Sequence, residues 1–271
     1  MTAAPENRIG RRLGQLRREG RKALIVYLMA GDPDPEASLD LVETVAGAGA
    51  DVIELGVPFS DPLADGPVIQ AAGQRALRAG MTPAGVLDLV RRLRARGVEV
   101  PIALMTYTNP VLRQGYAAFA RAAAEAGVDG VIVPDLPHEE AGPLRGHLRE
   151  AGVDLIPLVA PTTPAERVAA IVREASGFVY CVSLLGVTGA RESLSDRFAP
   201  LVERTRRYTD LPVAVGFGIR DAEQARAVAE VADAVIVGSA VVRLCGETAD
   251  PALRLRRVGE FVRGLREALG A

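Results

Sequence analysis

The sequence predicts an α/β protein built as a single (β/α)8 TIM barrel with an extra N-terminal helix. Eight apolar, β-branched runs of strand length recur along the chain. Helical patterns alternate with them, and the 271 residues come close to the ~250 typical of such barrels. With 49% hydrophobic residues the chain can bury a full core, and no linker, low-complexity segment or strong internal repeat divides it. The expectation is one domain over residues 1–271.

Residues 1–22 are polar, with Ile9, Leu13 and Leu16 at helical spacing, and read as an amphipathic helix covering one end of the domain. The predicted strands are Leu24–Met29, Val52–Leu55, Ile102–Met105, Gly130–Val133, Leu155–Val159, Phe178–Val182, Val213–Gly216 and Ala234–Val237. Helical patterns fall at 36–48, 82–97, 115–126, 139–151, 164–175, 197–208, 221–231 and 251–268. Helix stops stand at Ala48-Gly-Ala50, Ala126-Gly-Val128 and Ala151-Gly-Val153. A doubly wound open sheet is the competing architecture. It would place Gly-x-Gly-x-x-Gly after the first strand, where this chain has Ala30-Gly-Asp-Pro33.

Composition prunes the chemistry. Thirty-two basic and 34 acidic residues leave a net charge of −2, with no basic excess to suggest nucleic acid. No apolar run approaches the ~18 residues of a membrane span. Cys181 and Cys245 form no C-x-x-C pair, and the absence of a signal segment predicts a reduced cytoplasm. Lys22, the only lysine, precedes the first strand, which closes the Schiff-base route. His138 and His147, nine apart on a predicted helix, do not have metal-ligand spacing, so no metal is expected. Catalysis must therefore run on carboxylates and backbone.

Asp51-Val-Ile-Glu-Leu-Gly-Val-Pro-Phe-Ser-Asp-Pro-Leu-Ala-Asp-Gly-Pro67 is the most informative stretch. Val52 and Glu54 share one strand face, and Ile53 and Leu55 take the other. If the second face packs on helices, Glu54 points into the barrel mouth, where an idle charge is costly. The bland alternative is a carboxylate that ties down the next loop. Phe59-Ser60-Asp61-Pro62 and Asp65-Gly66-Pro67 favour a shaped lid bearing its own acid. After the seventh and eighth strands, Val215-Gly-Phe-Gly-Ile219 and Val237-Gly-Ser-Ala240 form a candidate phosphate cradle. After the sixth, Ser183-Leu-Leu-Gly-Val-Thr-Gly-Ala-Arg191 has the length and glycine content of a mobile lid.

Together these segments resemble the α subunits of tryptophan synthase. The family signature Glu-Leu-Gly-x-Pro-[Phe/Tyr]-Ser-Asp-Pro-x-Ala-Asp-Gly-Pro stands intact from Glu54 to Pro67. Ala30-Gly-Asp-Pro33, Tyr107-Thr-Asn-Pro110, Pro134-Asp-Leu-Pro137, Gly186-Val-Thr-Gly-Ala190, Gly216-Phe-Gly-Ile219 and Gly238-Ser-Ala240 extend the match in order. Leu184-Leu185 departs from it, standing where a polar or basic residue is common.

The resemblance implies cleavage of indole-3-glycerol phosphate to indole and glyceraldehyde 3-phosphate in tryptophan biosynthesis. It implies Glu54 as the acid/base residue and Asp65 as the second catalytic acid. Gly189, Gly218, Gly238 and Ser239 would cradle the phosphate. Tyr27, Met105, Tyr180 and Phe217 would line the pocket, with Thr188 the lid residue that meets Asp65. The implied partner is a β subunit carrying pyridoxal phosphate, two α with two β, docked where Pro58–Pro62 lies. This chain itself would hold no cofactor. The other possibilities are a free-standing indole-glycerol phosphate lyase and a catalytically idle, regulatory α-like subunit.

Overall fold

The computed structural model describes residues 7–182, 194–216 and 218–270, with Leu194, Asp196 and Arg197 given as backbone only. The chain opens with α1 (Arg8–Arg18), β1 (Ala23–Met29), α2 (Pro35–Gly47), β2 (Val52–Gly56), α3 (Pro67–Arg78) and α4 (Pro83–Ala95). It continues through β3 (Ile102–Met105), α5 (Thr108–Gln114), α6 (Tyr116–Ala126), β4 (Gly130–Ile132), α7 (Gly142–Glu150), β5 (Asp154–Leu155) and β6 (Leu158–Val159). Then come α8 (Ala165–Arg173), β7 (Val179–Val182), α9 (Leu194–Arg206), β8 (Val213–Gly216) and α10 (Ala222–Val231). The last elements are β9 (Ala234–Val237), α11 (Ser239–Glu247) and α12 (Pro251–Ala268).

All strand pairings are parallel, in the order β5-β4-β3-β2-β1-β9-β8-β7-β6. β5 and β6, at the two ends of that order, are halves of one interrupted strand. The Ile156 N–H donates to Val131 O on β4 (2.9 Å), and the Tyr180 N–H on β7 donates to Pro157 O (2.9 Å). These bonds close the sheet on itself as a (β/α)8 barrel. Continuous pairing over Leu155–Val159 was the sequence expectation. Pro157 has no N–H to give, so the ladder breaks there.

Local chemistry sets the helix starts. Asp34, Thr82, Asp221 and Asp250 accept the N–H groups of Ala37, Gly85, Gln224 and Leu253 at 2.6–3.1 Å. Proline occupies the first turn of α2, α3, α4, α7 and α12. Helices α3 and α5 lie in the long loops after β2 and β3 and were not anticipated. α7 starts later than expected, at Gly142, so His138 sits in the turn before it, not on the helix. Among the described residues no helix is long and apolar enough to cross a membrane.

The two faces of β2 behave as the alternation requires. Ile53 and Leu55 pack outward into the main core with the helices, while Val52 joins the barrel interior. Ile9, Leu13 and Leu16 of α1 enter that interior cluster beside Ile25, Phe178 and Ile236, so the N-terminal helix plugs the bottom of the barrel. Burying these three side chains stabilises the fold by ~2 kcal/mol each before the entropy of ordering the helix is subtracted.

Aspartates seal the same end. Asp51, Asp129 and Asp233 each stand just before a strand and accept the N–H of Leu24, Ile102 or Val213 on the preceding one, at 2.8–2.9 Å. Asp51 also accepts Arg12 Nη2 (2.6 Å) and Arg266 Nη1 (2.7 Å), and Asp129 accepts Arg94 Nη2 (2.7 Å). Thus a buried charge at the bottom of the barrel is paired and hydrogen-bonded. The substitution Asp51→Ala should lower the unfolding free energy by ~3 kcal/mol, because it strands Arg266 and the Leu24 N–H. Urea denaturation checks this: the midpoint falls with the slope unchanged, while activity per folded molecule stays the same.

Candidate active site

One pleat above the apolar plug, the inward positions change character. Tyr27 follows Ile25, Glu54 follows Val52, Met105 follows Ala103 and Tyr180 follows Phe178. Register places Tyr27 beside Glu54 and Glu54 beside Ala103. Two glycines make room for the tyrosines. A Cβ at Gly56 would collide with the Tyr27 hydroxyl, and one at Gly216 would lie 2.6 Å from the Tyr180 hydroxyl. Any larger residue at either glycine would drive a ring out of the barrel mouth.

Glu54 is 1% exposed, and among the described residues neither carboxyl oxygen has a hydrogen-bond partner. Burial, and then the charge of Asp65, push its pKa up to about 8. At neutral pH this side chain is a neutral acid with a proton to give. Burial also raises Asp65, to about 6, against a lowering hydrogen bond from Tyr107. The two carboxyl groups therefore ionise in sequence, with Asp65 the carboxylate while Glu54 keeps its proton.

Tyr107 is the residue that sequence reasoning missed. It lies just past β3, is 3% exposed, and accepts the Ala64 N–H at 3.1 Å while hydrogen-bonding Asp65. Its ring meets Phe59 at 5.4 Å between centroids. Both Phe59 and Ala64 belong to the loop after β2, so Tyr107 anchors that loop and orients its acid. The signal was present in Tyr107-Thr-Asn-Pro110, where a tyrosine follows the third strand at the catalytic end of the barrel.

Across the mouth, β9 runs into Gly238 and then α11, which opens at Ser239. Helix α11 has no side-chain cap at that end. Its first N–H groups and the helix dipole face the mouth, an arrangement that suits an anion. Gly218, past β8, has φ +80° and is exposed. Strand order β2-β1-β9-β8 brings these glycines to the neighbourhood of Tyr27 and Glu54; a Cβ at Gly238 would meet Tyr27 Cβ at 3.3 Å. Gly189, Thr188, Phe217 and the segment Ser183–Arg191 lie outside the described residues.

Other candidates do not compete. A cavity of about 210 Å3 between α7 and α8 is lined by Val133, Leu136, Arg145, Arg167, Ile171 and Glu174, on the outer side of the barrel wall. Its charged rim is already paired, Arg145 with Glu174 and Arg167 with Glu139. Lys22 Nζ donates to Ala232 O at 2.8 Å, at the plugged end of the barrel. Among the described residues no three His, Cys, Asp or Glu side chains gather as a metal-binding group.

A family model described as "Tryptophan synthase alpha chain" matches residues 13–269. The tryptophan synthase alpha chain of Phenylobacterium zucineum is 55% identical over 243 residues, spanning 90% of this chain and 88% of that one. That of Halorhodospira halophila is 51% identical over 263 residues, spanning 97% and 96%. Among solved structures, tryptophan synthase subunit alpha from Legionella pneumophila superposes with a TM-score of 0.89 at 40% identity, covering 97% of this chain and 98% of that one. A chain of Mycobacterium tuberculosis tryptophan synthase gives 0.88 at 41%, covering 98% and 99%.

The raised pKa of Glu54 is also a stability term. Its folded value of about 8 lies above the ordinary 4.5, so the native state holds this proton more tightly than the unfolded chain does. That stabilisation is complete below about 4.5 and is lost as pH rises through about 8. Glu54→Gln carries no such proton. Thermal unfolding from pH 4 to 9 should show parent and variant together at the acid end, with the variant's Tm advantage widening up to about 8 and then flat. A gap independent of pH would show that Glu54 is not a buried neutral acid.

Proposed function

Because the chain belongs to the tryptophan synthase α-chain family, and is thus a lyase of tryptophan biosynthesis, we propose that Glu54 and Asp65 carry its cleavage of indole-3-glycerol phosphate. The observation that supports these roles best is the buried Glu54 carboxyl facing the mouth, without a partner among the described residues and with its proton held up to about pH 8. Retro-aldol cleavage needs an electron sink, and Lys22, the only lysine in the sequence, lies at the plugged end of the barrel, away from the acids. Protonation of indole C3 by Glu54 turns the ring into an indolenine, which is that sink. Asp65, braced by Tyr107, accepts the indole N–H and stabilises the positive charge that develops there.

The electrons then move in a balanced way. The bond between C3 and the first glycerol carbon breaks, and its pair re-forms the aromatic indole. The hydroxyl on that carbon loses its proton and becomes the aldehyde of glyceraldehyde 3-phosphate. One proton enters at C3 and one leaves the hydroxyl, so ionised Glu54 can recover what it gave. Tyr27, Met105 and Tyr180 supply the apolar walls that keep water from the indolenine. Backbone N–H groups at Gly218, Gly238 and Ser239, joined by Gly189, hold the phosphate and so position the reacting carbon. The family resemblance assigns Phe217 to the pocket and Thr188 to the lid, and both lie outside the described residues.

Glu54→Gln keeps the shape and removes the proton, so kcat for indole release should fall ~10²-fold or more with substrate affinity nearly intact. Parent kcat/KM should be bell-shaped, with limbs near about 6 and about 8 that belong to the pair. Asp65→Asn should abolish the acid limb. It should also move the alkaline limb to lower pH, since the Asp65 charge helps to raise Glu54. A kcat within a few-fold of the parent in Glu54→Gln would make that residue structural.

The partner is a pyridoxal phosphate-bearing β subunit, in a complex of two α with two β, while this chain holds no cofactor of its own. Support comes from the loop face: Leu63 is 88% exposed on the acid-bearing loop and Leu112 is 53% exposed on α5. Between Glu54 and Leu63, Asp61 accepts the Ser60 hydroxyl at 2.5 Å and holds the loop's turn. Adding the β subunit should raise indole release at least ~10-fold, by completing the site's closure. Asp61→Ala should weaken that activation more than the basal rate. Full activity alone, unchanged by any β subunit, would favour a free-standing lyase.

A further inference from the structure

The loop after β1 lies between the two working ends of the site. Strand order β2-β1-β9 sets it between the loop that carries Asp65 and the helix start at Gly238. On this middle loop Asp32 is 3% exposed, and its two carboxylate oxygens accept Arg75 Nε at 2.7 Å and Arg75 Nη2 at 2.8 Å. Arg75 belongs to α3, which starts at Pro67, directly after the Asp65-Gly66 turn. The same guanidinium lies against α11: a Cβ at Gly246 would come within 2.8 Å of Nη2 and 3.1 Å of Cζ. One planar fork thus touches the helix that follows the acid, the loop between, and the helix whose start faces the phosphate. Two parallel hydrogen bonds fix the direction of the fork as well as its distance.

We propose that Arg75, locked by Asp32, is a positioning residue that sets the span between Asp65 and the helix start at Gly238-Ser239. The proposal rests on the assignment of the indole to Asp65 and of the phosphate to α11. A ligand that fills both ends must match this span, whereas a ligand that fills one end need not. A purely structural ion pair would make no such distinction.

The test compares three ligands on the full chain: an indole joined to phosphate by a propyl chain, glycerol 3-phosphate, and indole. Arg75→Lys keeps the charge but loses the fork. Gly246→Ala keeps both charges and pushes the guanidinium from the α11 side. Each variant should weaken the joined ligand ~10-fold or more and lower kcat to a similar degree, with glycerol 3-phosphate and indole held within ~2-fold. Equal losses for all three ligands, or no loss in either variant, would overturn the proposal. Failure of the parent chain to bind the joined ligand would instead overturn the assignment of the site beneath it.

Discussion

Taking a charged carboxylate out of water without a partner costs several kcal/mol, and Glu54 avoids that cost by keeping its proton. Much of the upper barrel follows from this. Among the described residues none gives Glu54 a hydrogen bond, since Tyr27, Tyr180 and Met105 present mostly ring and thioether. Gly56 and Gly216 are needed because the rings must lie flat across the strands to make that apolar chamber. A donor within reach of Glu54 would stabilise the carboxylate and lower the pKa, and the acid would be lost at neutral pH.

The two ends of the barrel treat the same functional group in opposite ways. At the bottom, Asp51 and Asp129 are as buried as Glu54, yet each accepts backbone and arginine donors and is satisfied. At the top, Glu54 has no partner among the described residues, and Asp65 has Tyr107. Paired carboxylates lock strands to one another; the unpaired one is left to act on something else. The separation lets the barrel be stable and reactive at once, because the strain of an unsatisfied acid is carried far from the aspartate ring that closes the sheet.

Much of this was legible in the sequence, and the exceptions have physical causes. The alternation of strands and helices, the plugging helix at Ile9, Leu13 and Leu16, and the inward aim of Glu54 follow from periodicity, which the barrel obeys. The break at Pro157 was missed because an apolar run hides a missing N–H. Helices α3 and α5 were missed because they lie inside the loops after β2 and β3, and α5, with 7 residues, is too short for a helical period to show. The aspartates at 51, 129 and 233 follow helix ends, some of which were recognised, but their grip on the preceding strand is a contact between elements 20–27 residues apart. Tyr107 was visible only as part of a motif; its hydrogen bond to Asp65 depends on how the loop after β2 folds back.

Topology explains why the chemistry gathers on one arc of the barrel. Strands β2, β1, β9 and β8 are neighbours, although the first and last are some 160 residues apart in sequence. Parallel strands send all their C-terminal loops to the same end, so acid, middle loop and helix start meet without any long excursion of the chain. Their relative placement is set by packing among the helices behind the strands, where α3 touches both β1 and α11. A charged fork such as Arg75–Asp32 resists sliding in a way that apolar packing alone does not, because a small shift breaks both of its hydrogen bonds. The precision of the site therefore depends on contacts behind the strands as much as on the residues that face the substrate.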